Sequence, residues 1–241
     1  MIYAAIPVSG REILLYHTIA RLSKQTTPVT AVCCGHTESE KIICENAGAI
    51  FIQCPDDTPL GEKWQKSVEL IRDAGDAEAI LILGSANFIC NDWVETLMNE
   101  PYQAVGVRGL FFFDIRPRNA TRLYYWPGYT GPNRKGEPIG TGRIIKRELL
   151  DKIGWEVYDR DWNSSLDYSM TLRIRAAGED WFCTEKELKG MDISTYRWKS
   201  KHDFRGMVRT NKVEWYNDAR IAKFIPEYFP EVTNLFNDQR S

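Results

Sequence analysis

The chain has 241 residues, 43% of them hydrophobic and 27% charged, with a formal net charge of −2. These are the proportions of an ordinary globular protein, long enough for one large domain with a buried core. No apolar run reaches the roughly 18 residues that a membrane span needs. The opening MIYAAIPVSGRE lacks the basic leader of a secretory signal and reads as a first strand, so a cytoplasmic protein without a membrane partner is expected.

Charge is unevenly spread. Residues 1–102 carry 7 basic against 14 acidic side chains, and residues 103–241 carry 24 against 19. The second part is therefore the side that would face an anionic partner, unless the difference is ordinary surface variation. The six cysteines, Cys33, Cys34, Cys44, Cys54, Cys90 and Cys183, form no CxxC pair and mostly lie in apolar stretches. They read as reduced, buried thiols, and the clustered spacing of a zinc site is missing.

The first hundred residues alternate strand and helix. Tyr3–Val8 is a short apolar run, and Ser9 and Glu12 have capping-box spacing before a helix with Leu15, Ile19 and Leu22 on one face. Pro28–Cys34 is predicted as a strand, Glu38–Ala47 as a helix stopped by Gly48, and Ala49–Cys54 as a third strand. Thr58-Pro59 reads as an N-cap and first helical proline, followed by Leu60, Trp64, Val68 and Ile71 on one face. Ala79–Leu83 is near-continuously apolar, as in a strand buried on both faces. It ends at Gly84-Ser85-Ala86-Asn87, before a short helix with Val94, Leu97 and Met98 inward. Four such units predict an α/β fold with a mostly parallel sheet.

The pattern then changes. Gln103–Asp114 is long and apolar, and Tyr124–Ile139 reads as a loop or irregular hairpin rich in Gly, Pro and aromatics. Ile145–Ile153 and Ser165–Ala177 read as helices, Trp181–Thr184 and Ile193–Trp198 as strands, and the tail from about Val213 as one or two packed helices. The expected organisation is one domain with two parts, over 1–102 and 103–212, and a tail over 213–241.

In an open α/β sheet, ligands bind beyond the carboxyl ends of the strands. Three loops fall there: Pro7–Arg11, Pro55–Lys63 and Gly84–Asn87. Arg11 and Lys63 suit a diphosphate, the helix starting near Pro59 offers backbone N–H groups, and Asp56 and Asp57 suit a base or ribose. Each charged residue also reads as ordinary solvated surface.

Two runs, Pro59-Leu60-Gly61-Glu62-Lys63-Trp64 and Ile80-Leu81-Ile82-Leu83-Gly84-Ser85, resemble the GT-A glycosyltransferases, particularly small family-2-like ones of phages and bacteria. Gly136–Arg143 followed by Leu149-Leu150 is similar to that family's acceptor-side loop and helix. Ser165-Leu166-Asp167-Tyr168-Ser169-Met170 is similar to its later acidic motif. The resemblance spans roughly residues 1–205. It implies a GT-A (Rossmann-like) sheet, a nucleotide-sugar donor, and a divalent metal, Mn²⁺ or Mg²⁺, held by carboxylates of a DxD-type motif. The implied donor-site set is Pro7, Arg11, Asp56, Asp57, Lys63, Ser85, Ala86, Asn87 and Arg143.

The chain departs from the family at the motif itself, where it carries Ser85-Ala86-Asn87. Ala86 cannot ligate a metal, and Asn87 offers a neutral carbonyl, a weaker ligand for a hard cation. Three readings stay open: an alanine substituted to trap a complex, an enzyme with fewer metal contacts that leans on Arg and Lys, and an inactive relative. Metal candidates are Asn87 and His202, which stands where many GT-A enzymes place a late ligand.

Asp167 is the catalytic candidate. It falls in the first turn of a predicted helix, where the dipole favours a carboxylate, and an inverting transferase needs a base for the acceptor hydroxyl. The same aspartate also reads as a plain helix cap. Six basic residues between Tyr196 and Lys212, interleaved with aromatics, suit phosphate contact and base stacking, or a lid over the donor. Tyr124, Tyr125, Trp126 and Tyr129 form an aromatic wall suited to a sugar ring, or simple packing.

The expected activity is hexosyl or pentosyl transfer from a UDP-type sugar to a hydroxyl. A hydroxymethylated base in phage DNA, a glycan and a small molecule are the acceptor candidates. The alternatives are a nucleotidyltransferase, for which Pro7-Val8-Ser9-Gly10-Arg11 is a poor glycine-rich loop, and an inactive GT-A-like module that binds a nucleotide-sugar or a protein.

Overall fold

Alternation along the early strands decides how the layers form. The structure, a computed structural model, describes residues 1–114, 122–129, 131–132, 134–194 and 214–233. Strand β1 (Ile2–Pro7) turns Ala4 and Ile6 to one face and Tyr3 and Ala5 to the other, and all four are buried. It lies between β2 (Val29–Gly35) and β4 (Ala79–Ile82), parallel to both, and β3 (Ile50–Gln53) extends the sheet beyond β2. On the first face pack α1 (Glu12–Leu22), α2 (Glu38–Asn46) and α4 (Trp93–Met98). On the second packs α3 (Leu60–Ala74), through Trp64, Val68 and Ile71. Leu15, Ile19 and Leu22 of α1 are each buried, worth about 1.5–3 kcal/mol apiece.

Strands from beyond residue 103 complete this sheet. They are β6 (Ala104–Gly106), β9 (Arg143–Lys146) and β10 (Phe182–Cys183). The order is β10-β6-β9-β4-β1-β2-β3, and β9 alone runs antiparallel to its neighbours. Strand β9 is followed directly by α5 (Arg147–Lys152), and α6 (Leu166–Ala176) joins α3 and α5 on the second face. A second sheet has the order β12-β8-β7-β11-β5. Its strands are β5 (Asn87–Ile89), β7 (Leu110–Asp114), β8 (Arg122–Trp126), β11 (Gly190–Ser194) and β12 (Glu214–Tyr216). Leu110, Phe112, Tyr124 and Trp126 turn into the main core, while Phe111 and Phe113 meet Ile221, Phe224 and Ile225 of α7 (Asp218–Tyr228). Buried Arg21 of α1 fastens the tail, bonding the Tyr228 carbonyl and Glu231 (both 2.6 Å) under the Phe229 ring.

Several sequence expectations are corrected. The Ser9/Glu12 capping box does not form: α1 is preceded by Arg11 at φ 63°, with no side-chain cap. The capping box sits instead on α2, between Thr37 and Glu40. Helix α3 starts one residue later than the Thr58-Pro59 signal implies, with Pro59 at the cap position. Part of the predicted Tyr124–Ile139 loop is strand β8, and the first residues of the predicted Ile145–Ile153 helix belong to β9. The expected Ile193–Trp198 strand begins earlier, at Gly190, and residues 195–198 lie outside the described residues. The tail opens with a strand, β12, before its helix. All six cysteines are free, and burial pushes the Cys34 and Cys90 thiols up to about 12. No described helix is long and apolar enough to cross a membrane.

Candidate active site

The carboxyl ends of β1 and β4 open into a cleft of about 540 Å³, within the range that holds a small-molecule ligand. Pro7, Val8, Ser9 and Arg11 line one side, and Gly84, Ser85 and Asn87 the turn between β4 and β5. Leu60 and Trp64 of α3 border it, as do Tyr129, Gly140 and Thr141 of the loop before β9. Ser165, Leu166, Asp167 and Met170, at the start of α6, complete the wall.

The β1–α1 loop is set by Glu40. This buried carboxylate accepts the Gly10 N–H at 2.7 Å, and the His36 and Thr37 N–H groups at 2.9 and 3.1 Å. It therefore ties the end of β1 to the end of β2. Burial works against its charge, but the three backbone donors prevail and hold its pKa below the usual value. Gly10 and Arg11 both stand at φ 63°, the left-handed region, which brings Arg11 to the cleft as its one Lys or Arg among the described lining residues.

Asp167 lies in the cleft wall in the first turn of α6. Its Oδ2 accepts the Tyr129 hydroxyl at 2.8 Å and Arg134 Nη2 at 2.5 Å. No hydrogen bond reaches Oδ1 among the described residues. Burial opposes ionisation, yet the Arg143 and Arg134 guanidinium groups, with the bonds from Arg134 and Tyr129, hold the carboxyl below its ordinary pKa. Arg134 also lies over the Tyr129 ring at 3.7 Å and bonds buried Glu137 at 2.9 Å, and Glu137 meets Arg175 of α6 at 3.3 Å. The loop before β9 is thus clamped onto α6 around one oxygen of Asp167, a residue of the cleft wall, and the other oxygen has no hydrogen bond among the described residues.

The remaining candidates take other places. Arg143 is fully buried and does not border the cleft: it donates to the Ile139 and Pro138 carbonyls (2.9 and 2.5 Å) and lies over Trp181 at 4.5 Å. Its contact with Asp167 is to the backbone carbonyl, at 3.4 Å. Lys63 is buried on α3 and does not border the cleft. Asp56 is exposed and pairs with His36 Nε2 at 3.0 Å, and Asp57 is exposed beside it. The start of α3 is closed as an anion site, because Asn163 Oδ1 accepts the Leu60 N–H at 2.9 Å and the Trp162 carbonyl the Gly61 N–H at 2.8 Å. His202 and the basic stretch 196–212 lie outside the described residues.

Ser85, Ala86 and Asn87, the turn expected from the resemblance to hold a metal, do not fit a divalent cation. Asn87 Oδ1 accepts both the Gly84 N–H (2.8 Å) and the Thr141 hydroxyl (2.6 Å), which occupies its lone pairs. Ala86 is buried against the second sheet, and the Ser85 carbonyl accepts the Thr18 hydroxyl at 3.3 Å. No three His, Cys, Asp or Glu gather as a metal site among the described residues.

Sequence reasoning passed over Glu40, Arg134 and Asp192, and took Thr141 only as part of the acceptor-side run. Thr37-x-x-Glu40 carried a readable capping signal, and Asp192, an acid in a buried strand facing Asn87 across the β5–β11 ladder and lining the cleft, was an anomaly in its run. Nothing local marks the contacts of Arg134 or Thr141, whose partners lie 33 and 54 residues away.

The architecture is the GT-A fold, a large, mostly parallel sheet flanked by helices. Among solved structures, the chain is similar to Staphylococcus aureus TarS 1–349 in complex with UDP, with a TM-score of 0.55 and 12% identity over 80% of this chain. It is also similar to S. aureus TarS and to TarS 1–349 in a further structure, each with a TM-score of 0.51 and 11% identity over 80% of this chain. The match spans 60% of TarS 1–349 and 36% of the longer TarS chain. No protein-family model and no curated protein matches the sequence.

Proposed function

We propose that the chain is a glycosyltransferase that moves a sugar from a nucleotide-sugar of the UDP type to a hydroxyl acceptor. The observation that carries this reading is the Asp167 carboxylate, ionised and fixed through Oδ2, with Oδ1 unbonded in the wall of the strand-end cleft. The UDP complex of the structurally similar TarS supports a uridine nucleotide as the donor's carrier. Pro7–Arg11 and Gly84–Asn87 then border the nucleotide, with Arg11 toward the diphosphate.

In this reading the acceptor hydroxyl attacks the anomeric carbon while the bond from that carbon to the diphosphate oxygen breaks. The hydroxyl proton passes to Asp167 Oδ1, and the nucleoside diphosphate departs. Residues 1–102 serve mainly the donor and 103–212 the acceptor, with 213–241 as the tail. A hydroxymethylated base in DNA stays among the acceptors to be assayed, beside glycans and small alcohols.

The test is UDP release from a panel of UDP-hexoses and UDP-pentoses, with these acceptors present, by the chain and by Asp167→Asn. Release that falls about 10²–10⁴-fold in the variant supports the assignment. Equal release by both would remove Asp167 from the chemistry. UDP binding with no turnover on any pair would favour a module that binds nucleotide-sugars without reacting.

A further inference from the structure

At the turn between β4 and β5, the orientation of the Asn87 amide can be decided from its neighbours. A backbone N–H only donates, so the Asn87 atom 2.8 Å from Gly84 N must be the oxygen. The Thr141 hydroxyl completes that oxygen's shell at 2.6 Å. The bracket is tight: a Cβ on Gly84 would stand 2.3 Å from Oδ1 but 3.8 Å from Nδ2. Asn87 lines the cleft, and its Nδ2 has no hydrogen-bond partner among the described residues. The fixed amide therefore offers N–H donors where a carboxylate would offer a metal ligand.

We infer that Asn87 binds the donor's diphosphate directly, through its amide N–H, and that this cleft takes a nucleoside diphosphate sugar without a divalent cation. The inference rests on the nucleotide-sugar reading of the cleft. The chemistry distinguishes the two arrangements. A carboxylate next to a diphosphate repels it until a cation intervenes, whereas an amide donor attracts phosphate oxygens with no intermediary. Two carboxylates line the same cleft, Asp192 facing Asn87 across the β5–β11 ladder and Asp167 in α6, and Arg11 supplies positive charge against them. Thr141 makes the arrangement depend on the loop before β9, since its hydroxyl is one of the two donors that fix the amide. Side chains at this turn thus hold the diphosphate by hydrogen bonds from an anchored neutral group.

Isothermal titration of UDP into the full chain tests this, in EDTA and again in Mn²⁺, with uridine as the phosphate-free control. The unaltered chain is expected to bind UDP with the same affinity in both buffers, to within about twofold. Asn87→Asp, which keeps the acceptor for Gly84 and Thr141 but swaps the N–H donors for a negative oxygen, is expected to weaken UDP about tenfold or more in EDTA. It should regain affinity in Mn²⁺ and leave uridine binding unchanged. Tightening of UDP on the unaltered chain by about tenfold or more in Mn²⁺ would overturn the inference while leaving the nucleotide-sugar reading intact. That arm needs no variant, so a poorly folded Asn87→Asp protein cannot obscure it. An Asn87→Asp protein that melts normally and binds UDP in EDTA as tightly as the parent would overturn it as well. Failure of UDP to bind the unaltered chain in either buffer would defeat both the inference and the reading beneath it.

Discussion

Removing the acceptor at Glu40 is the substitution whose consequences are clearest. Its two oxygens serve different loops: Oε1 holds Gly10 of the β1–α1 loop, and Oε2 holds His36 and Thr37 after β2. In Glu40→Gln only one oxygen remains. Whichever way the amide turns, its NH₂ faces at least one backbone N–H that had bonded a carboxylate. Hydrogen bonds to a charged group are worth about 1.5–3 kcal/mol each, and a buried donor left unpaired costs about 1–3 kcal/mol. The expected loss is about 2–4 kcal/mol, or roughly 4–16 °C in melting temperature for a chain of this size. Because the folded pKa is depressed, the stability that Glu40 contributes is present above its unfolded value and is lost as pH falls through the lower folded value. The gap between parent and variant should therefore be wide at neutral pH and close in acid. Calorimetric melting at several pH values measures both effects. A gap below about 1 kcal/mol at neutral pH, or one that widens on acidification, would refute the role given to Glu40.

Three further outcomes follow from packing and charge. In Gly61→Ala the new Cβ would stand 2.0 Å from the Asp159 carbonyl oxygen, so α3 must part from the segment over its start; urea unfolding should show a loss of about 2 kcal/mol or more. Tyr158→Phe removes a buried hydroxyl that has no partner among the described residues while keeping the ring stacked 5.2 Å from Trp64. Its melting temperature should match or exceed the parent's, and a loss above about 1 kcal/mol would show that a partner had been missed. In Arg134→Ala, Asp167 loses a cation and a hydrogen bond that lower its pKa. The acid limb of the transfer rate should move to higher pH, and an unmoved limb would mean that Asp167 is not the titrating base.

The early sheet was readable because its signals are local. Apolar runs such as Ala79–Leu83 and helical faces such as Leu60, Trp64, Val68 and Ile71 carry their own period, and they fall close to β4 and α3. Strand β9 was missed because Arg143–Lys146 runs into α5 without a break, and only its partners β4 and β6 declare it a strand. The site was legible as a set of strand ends, not as contacts. The strand-end loop, the helix start and the family resemblance brought Asn87 and Asp167 into consideration but could not reveal that Arg134 and Tyr129 share one oxygen of Asp167, or that Gly84 and Thr141 share the oxygen of Asn87. Nor could it show that Arg143 and Lys63 are drawn inward, since a charged residue in a polar run looks the same whether it faces solvent or braces a turn.

Amide hydrogen exchange with and without UDP gives the most direct reading of the central claim, that the strand-end cleft is the donor site. UDP should slow exchange across residues 8–14 and 84–87 and leave unchanged residues 181–189, which line a second cavity together with Arg108 and Gly109. Protection confined to 181–189, with both strand-end loops unaffected at saturating UDP, would contradict it.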